Sequence, residues 1–135
     1  MPTKVSRVLV TGGAGYIGSH TARQLIDAGY ELTVVDTLYS GHRWAIPEGA
    51  DFHQLDAGDV DGMAQLLQKG QIDAVIHFAG HIVVPESVRN PAKYYQNNVI
   101  ASMNLIDACR QSGVGIFIFS SSAAVYGNPE EVPVS

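Results

Sequence analysis

Cysteine is nearly absent: Cys109 is the only one in 135 residues. That excludes a disulfide framework and a cysteine-based zinc site. Basic residues are scarce too, eight Lys and Arg against thirteen Asp and Glu, for a net charge of −5. They form no cluster, so neither nucleic acid nor an anionic membrane surface is an expected partner. No apolar run is long enough to span a bilayer. Met1-Pro2-Thr3-Lys4 leads straight into a strand-like segment, without an apolar leader or a cleavage site, so a cytoplasmic protein is the expectation. Only 16% of residues are charged while 46% are apolar. That balance fits a packed domain, not a disordered chain or a charged helical rod.

Glycine, in contrast, is abundant, with 14 residues. Val5 to Thr11 reads as a buried strand. Gly12-Gly13-Ala14-Gly15 follows, then a helix from Tyr16 to Ala28 whose apolar stripe is Ile17, Ala22, Leu25 and Ile26, with Gly29 as its stop. Leu32 to Val35 is a second strand, ended by Asp36. Residues 37 to 50 read as a loop with a short turn around Trp44. A third strand runs from Phe52 to Leu55. A helix follows over Val60 to Lys69, capped by Asp59 and stopped by Gly70. Ala74 to Phe78 is a fourth strand, Pro91 to Ser112 a long helix capped by Asn90, and Ile116 to Phe119 a fifth strand. The stretch from Asn128 to Ser135 carries no element signal. Strands that are apolar throughout, alternating with helices, imply an α/β fold: a doubly wound, Rossmann-type parallel sheet covered on both faces. Such a sheet usually has a sixth strand, so the expectation is a sheet truncated after strand five. Residues 1–135 would then be one incomplete dinucleotide-binding domain of a longer protein.

Gly12-x-x-Gly15-x-x-Gly18 lies between a strand and a helix, and Asp36 ends the next strand 18 residues beyond Gly18. This context makes a glycine triplet a dinucleotide fingerprint. Gly12 permits the tight turn, Gly15 lets backbone approach a pyrophosphate, and Gly18 lets helix and strand pack closely. The helix N-terminus offers free N–H groups and a positive dipole end. The Asp36 carboxylate accepts from both ribose hydroxyls and repels a 2′-phosphate, which favours NAD over NADP. Arg43 is the nearest cation and sits on the following loop. A glycine turn that serves packing alone, with Asp36 a solvated strand-end acid, is the alternative.

Thr11-Gly12-Gly13-Ala14-Gly15-Tyr16-Ile17-Gly18-Ser19-His20 resembles the nucleotide fingerprint of the extended short-chain dehydrogenase/reductase enzymes that act on nucleotide sugars, the NAD-dependent epimerase/dehydratase family. His77-Phe78-Ala79-Gly80 with Glu86-Ser87-Val88 is similar to that family's strand-four region. Tyr94-Tyr95-Gln96-Asn97-Asn98-Val99 is similar to the helix lining its nicotinamide side. Phe119-Ser120-Ser121-Ser122-Ala123-Ala124-Val125-Tyr126-Gly127 is similar to its strand-five serine motif. The likeness covers the whole chain in order and is strongest to the branch that interconverts UDP-glucose and UDP-galactose. It implies that Gly12, Gly15, Tyr16, Ile17 and Gly18 cradle the pyrophosphate. Asp36, Thr37 and Ser40 would hold the adenosine ribose, with Asp56 and Ala57 near the adenine. Phe78, Ala79, Gly80 and Asn97 would run along the middle of the cofactor. Ser122 would be catalytic, holding the sugar's reacting hydroxyl, with Tyr126 beside the sugar.

Each assignment has a plainer alternative. The serines can satisfy backbone groups at a strand end. Asn97 can brace a loop, Glu86 can be a solvated or loop-bracing acid, and His77 reads as a packed strand histidine. His53 and His81 have no metal-ligand spacing. Two positions depart from the family pattern: Ile82 stands where a lysine is frequent, and no Tyr-x-x-x-Lys pair occurs in the chain. The resemblance places that pair, and the part gripping the sugar, further along. It implies an isomerase that binds and recycles NAD, acts on UDP-glucose or UDP-galactose by transient C4 oxidation, and forms a homodimer when complete, the 135-residue chain alone being inactive. The alternatives are a nucleotide-sugar 4,6-dehydratase or decarboxylase of the same family, or a non-catalytic dinucleotide-binding module. Ala123 and Ala124 lack the acidic groups that a dehydratase needs after its serine or threonine.

Overall fold

β1 (Arg7–Thr11) is the centre of a sheet in which every neighbouring pair is parallel. β2 (Glu31–Asp36) pairs with it on one side, Val10 opposite Val34, and β3 (Asp51–Gln54) lies outside β2. On the other side β4 (Ala74–His77) sets Ile76 opposite Val10, and β5 (Ile116–Phe119) forms the far edge. The order is β3-β2-β1-β4-β5. This computed structural model describes residues 5–133. Residues 1–4, and the last two of the stretch without an element signal, lie outside the described residues.

Alternation along buried strands divides the core in two. Leu9, Val35 and Val75 face Met63 and Leu67 of α2 (Val60–Gly70) and Leu105 and Ala108 of α5 (Ala101–Ser112). Val8, Val10, Val34 and Ala74 face the other way, onto Ala22 of α1 (Tyr16–Asp27), with Leu25 and Ile26 packed around it. Both faces of the central strands are covered, which is why they are apolar at every position. This is the doubly wound Rossmann-type sheet expected from the sequence. The switch point falls between β1 and β4, where the connections leave in opposite directions.

Three local expectations differ. Ile17 is 61% exposed and is not part of the α1 stripe. Its neighbour Gly18 is buried instead, because a Cβ there would come 2.1 Å from the Gly12 carbonyl oxygen. Gly70 is the last residue of α2, and the left-handed position after it is held by Gln71 at φ 49°. The long helix is not uniform: α4 (Pro91–Tyr94) passes into a π-helical segment, Tyr95–Ile100, before α5. One short helix, α3 (Val84–Arg89), and a 3₁₀ turn over Ala123–Tyr126 had no sequence signal. None of the α3 residues is buried, so no apolar periodicity marks it. Among the described residues no helix is long and apolar enough to cross a membrane.

Candidate functional site

Above the C-terminal ends of β1, β2 and β4 lies a cleft, where a parallel sheet of this kind opens a crevice. Its floor is the glycine loop. Gly12 sits at φ +70°, and a Cβ on it would stand 2.7 Å from the Ala79 nitrogen, so only glycine allows the β1 and β4 exits to touch. Gly15 differs. A Cβ there would meet only the Gly12 oxygen, at 3.3 Å, with open space beyond. Glycine at 15 therefore leaves bare backbone along the cleft it lines. Gly15 is also the N-cap of α1, with no side-chain cap and no acidic residue in the first turn. The N–H groups of Tyr16, Ile17 and Gly18 are left to an external acceptor by the geometry of any helix start. A bare backbone, uncapped amides and a positive dipole end are what a pyrophosphate requires.

One wall comes from the end of β2. Asp36 Oδ2 accepts from the Ala14 N–H at 3.0 Å and Oδ1 from the Leu38 N–H at 2.8 Å. The carboxylate locks the glycine loop to the following loop, and each oxygen keeps a further lone pair for a ligand. Thr37, Tyr39, Ser40 and Gly41 continue this wall, and Asp56 with Ala57 extends it beyond β3. Asp56 Oδ1 accepts from the Gly58 N–H at 2.7 Å. Arg43 lies 5.0 Å from the centroid of the Phe52 ring, a cation–π position on the outer strand.

The opposite wall is Phe78, Ala79, Gly80 and His81, with Asn97 projecting from the π segment. Extra-wide turns of this kind re-aim side chains and recur at functional sites. Here the turn turns Asn97 and Asn98 to adjacent tasks. Asn98 Oδ1 accepts from the His81 N–H and Nδ2 donates to the His81 carbonyl, both at 2.8 Å. Asn97 Nδ2 donates to Asn98 Oδ1 at 2.9 Å.

His77 lies beneath this wall, 1% exposed. Nδ1 is 2.6 Å from Thr11 Oγ1 and Nε2 is 2.8 Å from Ser102 Oγ. The Ser102 hydroxyl donates to the Asn98 carbonyl at 2.8 Å, so it accepts from His77. The ring thus carries its proton on Nε2, and Thr11 donates to Nδ1. Burial pulls the His77 pKa down to about 4, so the ring is a neutral tie between β1, β4 and α5.

Eleven of the residues singled out from the sequence line this one cleft: Gly12, Gly15, Asp36, Thr37, Ser40, Asp56, Ala57, Phe78, Ala79, Gly80 and Asn97. Tyr16, Ile17 and Gly18 stand in the first turn of α1 behind Gly15, and the Tyr16 side chain is 83% exposed. Ser122 and Tyr126 are not among the lining residues. Ser122 is exposed, and its Oγ accepts from the Ala124 N–H at 3.1 Å, capping the 3₁₀ turn. Sequence reasoning missed Tyr39 and His81, which lie on facing walls, and Lys93 and Gln96 in the adjoining recess. Tyr39 had a signal, since it sits between Asp36 and Ser40. Lys93 had none, because its place depends on the short helices after β4.

The profile of the NAD dependent epimerase/dehydratase family matches residues 8–135. A UDP-glucose 4-epimerase of Lactobacillus helveticus is 47% identical over 129 residues, which are 96% of this chain and 39% of that protein. One from Klebsiella pneumoniae is 45% identical over 134 residues, covering 94% of this chain and 96% of the relative. The crystal structure of UDP-glucose 4-epimerase from Brucella ovis in complex with NAD superposes with a TM-score of 0.88 at 46% identity, over 96% of this chain and 40% of that one. The chain spans about 40% of the length of the Lactobacillus and Brucella proteins. With its fold, its glycine loop and its matched residues in register, this chain belongs to the NAD-dependent epimerase/dehydratase family.

Proposed function

We propose that the chain is the NAD-binding part of a UDP-glucose 4-epimerase. One observation carries the cofactor half of this reading. The bare backbone at Gly15, the uncapped start of α1 and the Asp36 carboxylate face one cleft at the switch point of the sheet. The substrate half rests on likeness to the UDP-glucose 4-epimerases, 47% identical in one case.

Gly12, Gly15 and the first-turn amides of α1 hold the pyrophosphate. Asp36 receives the ribose hydroxyls on its remaining lone pairs, and its charge opposes a 2′-phosphate. Arg43 is occupied at Phe52 and does not offset that charge, so NAD is the cofactor. Asp56 and Ala57 take the adenine end, and Phe78, Ala79, Gly80 and Asn97 orient the rest. When bound, NAD supplies reversible hydride transfer at the sugar C4. Ser122 holds the C4 hydroxyl and Tyr126 lies beside the sugar. For that, Ser122 must give up or share its bond to the Ala124 N–H. The complete enzyme works on UDP-glucose and UDP-galactose, as a homodimer in the cytoplasm. Ala123 and Ala124, where a dehydratase needs acids, weigh against a 4,6-dehydratase.

The test is calorimetric titration of the chain with NAD and NADP. Saturable binding that favours NAD is expected. Equal affinity for the two, or binding of neither, overturns the reading.

A further inference from the structure

The two walls of the cleft are joined across its mouth. Lys93, on α4, donates from Nζ to Tyr39 OH at 2.8 Å, and Tyr39 belongs to the loop after β2. The same ammonium pairs with Glu86 Oε1 of α3 at 2.6 Å. Glu86 Oε2 accepts from Tyr94 OH at 2.8 Å, and that hydroxyl accepts from the Val83 N–H at 3.1 Å. The Tyr39 and His81 rings meet edge to face, centroids 4.9 Å apart. Lys93 and Glu86 are only 28% and 33% exposed at the side chain. The pairing holds the Glu86 carboxyl below its usual range and Lys93 above its own. This chain of bonds does no work for the hydrophobic core, since neither α3 nor α4 contributes a buried residue.

We infer that Tyr39, Lys93 and Glu86 form a strap across the adenosine end of the cleft, which controls how fast NAD enters and leaves. The inference rests on the NAD reading above. Tyr39 and His81 line the cleft, and Lys93 lines the adjoining recess with Asp56 and Asn97. A dinucleotide seated between these walls passes the mouth only when the Lys93–Tyr39 bond opens or the 37–41 loop swings out. A gate raises the barrier in both directions and leaves the equilibrium less affected, whereas a direct ligand contact slows release alone. Slow exchange suits a cofactor that the reaction regenerates in each cycle, since release is then no part of turnover. Lys93 and Tyr39 are positioning residues in this scheme: they act through each other and on the opening of the cleft.

The experiment is stopped-flow measurement of NAD association and dissociation with the full 135-residue chain, Lys93→Met, Lys93→Arg and Tyr39→Phe. Lys93→Met should raise both rates roughly tenfold, the scale of one hydrogen bond to a charged group. The Kd should change much less. Tyr39→Phe keeps the ring against His81 and should reproduce the effect. Lys93→Arg should restore slow exchange, and combining Lys93→Met with Tyr39→Phe should add little to either alone. Melting temperatures guard against a folding defect. A parent chain that does not bind NAD removes the cofactor reading and the strap with it. A parent that binds NAD, with variant rates unchanged or only dissociation raised, overturns the strap alone.

Discussion

At the residue scale, Asp36 joins an observed task to a proposed one. It braces the glycine loop through the Ala14 and Leu38 amides, and in the proposed reading its charge opposes a 2′-phosphate. Asp36→Asn removes the charge and keeps one brace bond, but sets its NH2 against the other backbone N–H. It should narrow the preference for NAD over NADP and lower the melting temperature, and Asp36→Ala, which loses both brace bonds, should do the same. Parallel titrations with both cofactors and thermal melts check this. His77 offers a second test, in pH. Its pKa is about 4 in the folded chain against 6.5 when unfolded, so the unfolded chain binds the extra proton between those values. Stability is whole above pH 6.5 and falls as pH drops toward 4, by on the order of 3 kcal/mol from this group. His77→Gln should be less stable at neutral pH, and the pH 4–6.5 slope of its denaturant midpoint should be shallower than the parent's. The sequence marked His77 as a packed histidine because Ile76 and Phe78 flank it. It could not mark Thr11 and Ser102 as partners, because they come from β1 and α5, 66 and 25 residues away.

At the element scale, legibility follows burial. β1, β2 and β4 are apolar runs buried on both faces, and each was readable to within two residues. α1 was readable from its apolar stripe and glycine stop, and α2 from its cap and stop, with one exchange of roles at the end of α2. Gly70 carries the expected stop signal, but Gln71 takes the left-handed position and spends its side chain on Arg7, whose Nη1 donates to Gln71 Oε1 at 2.8 Å. Gln71→Gly should relieve the backbone, gaining up to about 1 kcal/mol, offset by loss of that exposed contact. A small rise in melting temperature is expected; a clear fall would mean that the Arg7 bond outweighs the φ strain. Gly18 is the opposite case. A Cβ there overlaps the Gly12 carbonyl at 2.1 Å, so Gly18→Ala must part α1 from the glycine loop. That should cost roughly 3 kcal/mol and weaken NAD binding together with stability. α3 and the π segment were not legible. α3 lacks buried residues, and the π segment differs from an ordinary helix by one hydrogen-bond step that no residue pattern in Tyr95–Ile100 announces.

At the scale of the whole molecule, the cleft proposed for a dinucleotide is assembled, and no Tyr-x-x-x-Lys pair accompanies it in this sequence. Sequence order alone brought the cleft into view: a glycine triplet, an acid 18 residues on and a strand-four Phe-Ala-Gly are each local signals. The strap across the mouth depends on three separate segments meeting, and only the structure reveals it. The six tyrosines are followed four residues later by His20, Val34, Arg43, Asn98, Val99 and Glu130, never by lysine. A positioned acid–base group contributes roughly 10²–10⁴-fold, and Ser122, which would share in that work, does not line the cleft. On the β5 side, Ile118 and Phe119 are at least half exposed, so among the described residues nothing encloses a sugar there. The 135-residue chain should therefore bind NAD and yet give no detectable conversion of UDP-galactose to UDP-glucose, even with NAD saturating. Calorimetry and a coupled assay on the same preparation measure the two properties side by side. Turnover by the pure chain would mean that a group other than a Tyr-x-x-x-Lys pair removes the C4 hydroxyl proton. The first residues to substitute would then be Tyr126 and Ser122.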